Sequence, residues 1–364
     1  MKRLVLLMLA AFSAAVSCPA RAEDPVVNID FWYDYLPQQN IDQFAKDTGI
    51  KVVYDSFNSV EMLTTKILTG GSGYDIVMPG ASMISQFAQI GALQKLDKNK
   101  LPNAGSLDPV LMKFLATQDP ANEYAVPYAY GATGLLYNKS KIEQRLEQAP
   151  TDSWDLLFKP EFASKLSDCG IGIIDAPDQI MGIALHYLGF NPYTKSEDEI
   201  RKADALLKAI RPYIRHFKTE SLQNEMASGD LCLAVTWTGT AVAAQNAAQQ
   251  NGTGAQLGFS IPKEGSDIFF DVMAIPADAP HPENALAFIN FLISANAAAT
   301  FTNNLLYPNA VLTARPLVDR KITDNPNVYI PEDVLKRLYP DQQRDPKSMR
   351  TVVRAWTSFT TGQD

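Results

Sequence analysis

Aromatic residues gather at four places in the 364-residue sequence, two of them with a carboxylate beside the rings: Trp32-Tyr33-Asp34-Tyr35, Trp237-Thr238-Gly239-Thr240, Phe269-Phe270-Asp271 and Tyr307-Pro308-Asn309. This mixture suits an alkyl ammonium ion, which needs carboxylates for charged hydrogen bonds, ring faces for cation–π attraction and flat apolar walls for its methylenes. A desolvated ammonium over a ring face gains about 2 kcal/mol. Burying that charge without a counterion costs more, so the rings need the acids. Taken singly, each ring reads as core and each acid as a turn or cap residue. Four groups at predicted strand ends or crossings read as a site.

Other chemistries lack their constellations. Gly70-Gly71-Ser72-Gly73 is not followed by Gly-Lys-Ser/Thr and leads into a strand, so it reads as a turn and not a phosphate loop. His186, His216 and His281 stand apart, without zinc or catalytic spacing, and His186 sits in an apolar helical stretch. No Gly-x-Ser-x-Gly elbow occurs. The expectation is therefore no catalytic residue, no metal, no cofactor and no enzymatic activity.

The elements that must position the rings alternate along the chain. Strand patterns at 26–32, 50–57 and 74–78 are separated by helical patterns at 41–48, ended by Gly49, and 61–68, stopped at Gly70-Gly71. This order predicts an α/β fold with a mainly parallel sheet, whose ligands bind at the carboxyl ends of strands. Residues 124–137 read as a strand with no helix before the next unit, as where a chain crosses between lobes. A second set follows: strand 172–175, helices 179–188 and 197–210, strand 231–237. Residues 256–261 and 268–275 read as a return crossing, 282–294 and 297–304 as helices, and the Pro-rich, charged tail from 325 ends in a helix. Two lobes joined by crossing strands make a cleft able to close on a ligand. The expected division is a leader at 1–22, lobe one at 23–130 plus 252–302, and lobe two at 131–251 plus 303–364.

Met1-Lys2-Arg3 and the apolar run 4–16 have the form of a secretory signal peptide, too short to span a bilayer. Cleavage after Ala20-Arg21-Ala22 predicts a soluble exported protein. A lipid-anchored alternative at Cys18 has Ala15 where Leu is usual. Without Lys2, Arg3 and Arg21 the chain keeps 29 basic against 40 acidic residues, net −11, a surface that repels nucleic acid and anionic lipid. Cleavage also leaves two cysteines, Cys169 and Cys232. An oxidising compartment favours a bridge over two separate buried thiols.

At these residues the sequence resembles the periplasmic putrescine/spermidine-binding proteins of bacterial ABC importers. The likeness runs through Thr48-Gly49-Ile50-Lys51-Val52-Val53-Tyr54-Asp55, Tyr74-Asp75-Ile76-Val77-Met78-Pro79, Ser153-Trp154-Asp155-Leu156, Asp175-Ala176-Pro177, Phe259-Ser260-Ile261-Pro262-Lys263-Glu264-Gly265 and Arg354-Ala355-Trp356-Thr357. The resemblance implies the two-lobe periplasmic-binding fold, an importer permease as partner, a monomer, and a disulfide between Cys169 and Cys232. It also implies an amine pocket lined by Trp32, Asp34, Tyr35, Trp237, Phe269, Asp271 and Tyr307, with Ser82 in the pocket loop and Gly80 where a Ser is common. Two departures matter: Gln179 and Thr240 stand where the family has acids. Asp34 and Asp271 then remain as pocket carboxylates, with Asp178 as a substitute able to swing in and Tyr33, where a small Ser or Thr is usual, as a new hydroxyl or a residue that shortens the cleft. The leading reading is polyamine capture. Its rivals are a singly charged amine (an acetylated polyamine or an ω-amino acid), ferric iron, and a ligand-independent sensor or interaction protein.

Overall fold

The computed structural model describes residues 25–57 and 59–362, so the expected leader, its cleavage site and Cys18 lie outside the described residues. Among the described residues there are nine strands: β1 Val26–Trp32, β2 Lys51–Phe57, β3 Ile76–Val77, β4 Ala125–Asn138, β5 Ile171–Ile173, β6 Leu233–Trp237, β7 Leu257–Ser260, β8 Asp267–Ala274 and β9 Tyr339–Pro340. They are ordered β2-β1-β3-β8-β4-β6-β5, with β7 also on β4 and β9 on β8. β1 is parallel to β2 and β3, whereas β8 runs antiparallel to β3 and β4.

β4 joins the two halves. Its residues 125–132 pair with β8, and residues 133–138 pair with β6 and β7. At about 3.3 Å per residue, 14 residues extend across both halves. All but Tyr137 are buried, so this strand is core in each lobe. The two-lobe α/β fold expected from the alternation is therefore present. β7 belongs to the second half through its pairing with β4, and the turn at residues 312–317 packs on the helix Ala295–Leu305, with Val311 bridged to Leu107.

Local chemistry accounts for the elements that hold the site. β1 buries Val27, Ile29 and Phe31 on one face, the alternation a half-buried strand requires. The helix Gln38–Thr48 ends at Gly49, whose φ of 73° turns its N–H back to the Ala45 carbonyl. Ser59 caps the helix Val60–Thr69 by accepting from the Met62 N–H at 3.2 Å. Pro177 opens the helix Pro177–Tyr187, where its missing N–H costs nothing. Residues 180–185 of that helix are all buried, as in a helix covered on several sides. Cys169 and Cys232 form a disulfide closing a 63-residue separation.

Candidate ligand-binding site

The site begins where β1 ends. Trp32 lies tilted over Phe57, centroids 4.4 Å apart, and its carbonyl accepts from the Tyr54 hydroxyl at 2.8 Å. The chain then turns at Tyr33 and Asp34, the latter in the left-handed region at φ 55°, where Asp is better tolerated than most residues. The turn sends Tyr35 back over the sheet. Its ring meets Tyr307, Phe301 and Tyr128 edge-on at 5.4, 5.6 and 6.0 Å. Its hydroxyl donates to Asp271 Oδ2 at 2.9 Å.

Asp271 is the centre of this group. It projects from β8, opposite Ala129 of β4 and bridged through the backbone to Gly80 in the loop after β3. Burial pushes its carboxyl up to about 6, while the Tyr35 hydroxyl and the Trp32 indole pull it back toward the anion. The Trp32 Nε1 has no hydrogen-bond partner within good geometry, so its effect on Asp271 is that of a nearby N–H dipole. Among the described residues, Asp271 pairs with no Lys, Arg or His. A half-buried acid with donors on one side and rings around it is a receptor for a cation.

Two walls are set by glycines. A Cβ on Gly131 would meet the Phe269 ring at 2.6 Å, and one on Gly239 would meet the Tyr307 ring at 2.0 Å. Phe269 and Trp237 meet edge-on, with centroids 6.5 Å apart and planes at 71°. Burial drives the Tyr307 phenol up to about 12, with the Thr240 side chain opposing the shift and Asp271 adding to it.

Gln179 ties the second lobe in. Its Oε1 accepts from Trp237 Nε1 at 3.0 Å and its Nε2 donates to Asp267 Oδ2 at 2.9 Å. The structure thus brings together Trp32, Tyr35, Gly80, Gln179, Trp237, Thr240, Phe269, Asp271 and Tyr307. Ser82, in the same loop as Gly80, lies against Asp341. Tyr33 is 76% exposed and Asp34 is exposed, both at the rim. Asp178 does not turn inward as a substitute acid, because its Oδ1 accepts from Arg344 Nε in an ion pair with a buried guanidinium.

Sequence reasoning missed Asp267 and Asp341. Asp267 sits four residues before Asp271, on the β8 face it shares with Phe269 and Asp271, a period-2 signal visible in the sequence. Asp341 reaches β8 only because the tail returns as β9, which no local pattern announces. The three histidines occupy separate structural contacts, with Glu264, Glu225 and Asp75. Among the described residues, no group of three or more His, Cys, Asp and Glu is arranged to hold a metal ion, and no single helix is long and apolar enough to cross a membrane.

Two lobes meeting over a ringed carboxylate define the class, a solute-binding protein. More particularly, the chain belongs to the bacterial extracellular solute-binding protein family, whose model matches residues 39–329. It is 42% identical to the putrescine-binding periplasmic protein PotF of Escherichia coli over 344 residues, 94% of this chain and 93% of that one. It is 40% identical to the putrescine-binding periplasmic protein SpuD of Pseudomonas aeruginosa over 363 residues, 100% of this chain and 98% of that one. The crystal structure of the spermidine/putrescine ABC transporter substrate-binding protein PotD from Streptococcus pneumoniae matches with a TM-score of 0.80 at 26% identity, covering 92% of this chain and 98% of that one.

Proposed function

We propose that this protein is the periplasmic solute-binding component of an ABC importer for polyamines of the putrescine and spermidine class, acting as a monomer and not as an enzyme. The observation that carries the reading is Asp271: a carboxylate without a protein counterion, held by the Tyr35 hydroxyl and surrounded by Trp32, Phe269, Trp237 and Tyr307. One ammonium of the ligand sits on Asp271 and exchanges water for its charged hydrogen bonds. The methylenes lie on Phe269 between Trp237 and Tyr307. Relatives named as putrescine-binding periplasmic proteins support both the ligand class and the compartment. We place the lobe boundaries by strand pairing, with 131–261 and the tail from about 324 in lobe two, so that β7 lies with its partner β4.

Trp32 and Trp237 report binding directly. Titrating putrescine into ligand-free protein should change tryptophan fluorescence in a saturable way, and Asp271→Asn should weaken the apparent affinity at least about a hundredfold, since removing one partner of a buried charge pair costs about 3–5 kcal/mol. An unchanged affinity in Asp271→Asn would remove Asp271 from the site. Saturation by N-acetylputrescine or 4-aminobutyrate but not by putrescine would move the ligand to a singly charged amine.

A further inference from the structure

Beyond Gln179 lies a group of charges that the site as described does not use. Asp341 is close enough to Asp178 and to Asp267 to act on both electrostatically, and the cation Arg344 acts on Asp178 and Asp341. Arg344 commits its Nε to Asp178 and an Nη to the Pro192 carbonyl. Among the described residues, neither Asp267 nor Asp341 has an ion-pair partner. Asp267 is fully buried and is held by Gln179 Nε2 and, at 3.2 Å, by the Ser266 hydroxyl. Asp341 is only half-buried. Tyr193 donates to it at 3.0 Å, and the Ser82 side chain of the opposite lobe approaches it.

The sheet fixes where this second pole lies. Tyr339 pairs with Asp267 and Pro340 with Ile268 in parallel register, and the Asp341 N–H donates to the Ile268 carbonyl at 2.9 Å. Asp341 therefore extends the strand beside Phe269, two residues before Asp271. Neighbouring strands about 4.8 Å apart and a rise of about 3.3 Å per residue put the Asp341 and Asp271 backbones roughly 8 Å apart. Phe269 lies between them. The Tyr339 hydroxyl, two residues before Asp341, is buried without a hydrogen-bond partner, against Gly182 and within electrostatic reach of Asp341 and Asp267.

We propose that Asp341 is the second anionic pole of the ligand site, receiving the far ammonium of a short aliphatic diammonium whose near ammonium sits on Asp271. The proposal rests on the amine reading above and deepens it. Asp267, behind Gln179, adds negative field without touching the ligand. The carboxylates missing at Gln179 and Thr240 are thus replaced from the C-terminal tail, and a second positive charge is selected for, not merely tolerated. Burial raises the carboxyls of Asp267, to about 7, and of Asp341, as expected where an anion lacks its counterion.

Calorimetric titration of the full mature chain with putrescine, n-butylamine and N-acetylputrescine tests this, in wild type and in Asp341→Asn. Wild type should bind putrescine at least about a hundredfold more tightly than either monocation. Asp341→Asn should bring the ratio of putrescine to butylamine affinity close to one. Wild-type putrescine affinity in folded Asp341→Asn would overturn the second pole while leaving the amine reading intact. If the variant does not fold, wild type alone decides: N-acetylputrescine binding as tightly as putrescine overturns the proposal. Failure of wild type to bind any of the three would overturn the amine reading itself, and the second pole with it.

Discussion

Asp271 determines how the site responds to protons. Its carboxyl is pushed up to about 6 by burial, and that of Asp267 to about 7 by burial and by Asp341. An acid whose value is raised on folding keeps its proton to higher pH in the folded chain than in the unfolded one. The ligand-free protein therefore holds extra stability below the ordinary carboxylate range and loses it as pH rises toward 7. A bound ammonium acts in the opposite direction, because it favours the carboxylate, so binding expels a proton wherever the empty site holds one. Putrescine affinity should fall as the solution is acidified, by about tenfold between pH 7.5 and 5 from Asp271 alone. Calorimetry in buffers of different ionisation enthalpy should show proton release near pH 6. Affinity and heat independent of both pH and buffer would contradict a protonated Asp271 in the empty site.

At the scale of elements, two close approaches hold the walls. The helix Thr238–Gln250 begins directly after Trp237, and its Gly239 leaves room for the Tyr307 ring. Gly239→Ala would drive a methyl into that ring, an overpacking worth about 1–3 kcal/mol. We expect the ring to move out of the site and putrescine affinity to drop about tenfold, with a lower thermal midpoint. Unchanged affinity would mean that Tyr307 is not a wall. Several elements were legible because one face of each is buried: the helix Glu197–Ile210 buries Ile200, Ala203, Leu207 and Ile210 at helical spacing and is read in full from its pattern. The helix Thr238–Gln250 escaped notice because it buries small residues on several sides, Gly239, Ala241, Ala244 and Ala248 among them, and shows little periodic contrast. The helix Thr219–Ser228 escaped it too, burying only Leu222, Met226 and Ala227. In the site, the rings at strand ends could be read from their clustering with acids. Asp267 was readable from strand period and was overlooked. Asp341, Tyr193 and Arg344 depend on a tail that travels back to β8, information that resides in tertiary packing.

The whole molecule is two lobes sharing β4, with β8 carrying the Asp271 carboxylate between them. Groups from distant parts of the chain meet there: Tyr35 near the N-terminus, Ser82 after β3, Gln179 and Trp237 in the second set, and Asp341 in the tail. The disulfide lies away from this junction, tying the start of β5 to β6. For a closed loop of this length, chain entropy contributes about 4 kcal/mol to stability. A cation that bonds to Asp271 and contacts rings from both lobes favours the closed arrangement by its differential affinity for it. The measurement that tests this account most directly is a calorimetric titration of unfolded-and-refolded, ligand-free protein with putrescine. The account predicts one site with micromolar or tighter affinity, about −8 kcal/mol or better. No heat with putrescine or spermidine, under conditions where the protein is folded, would contradict it.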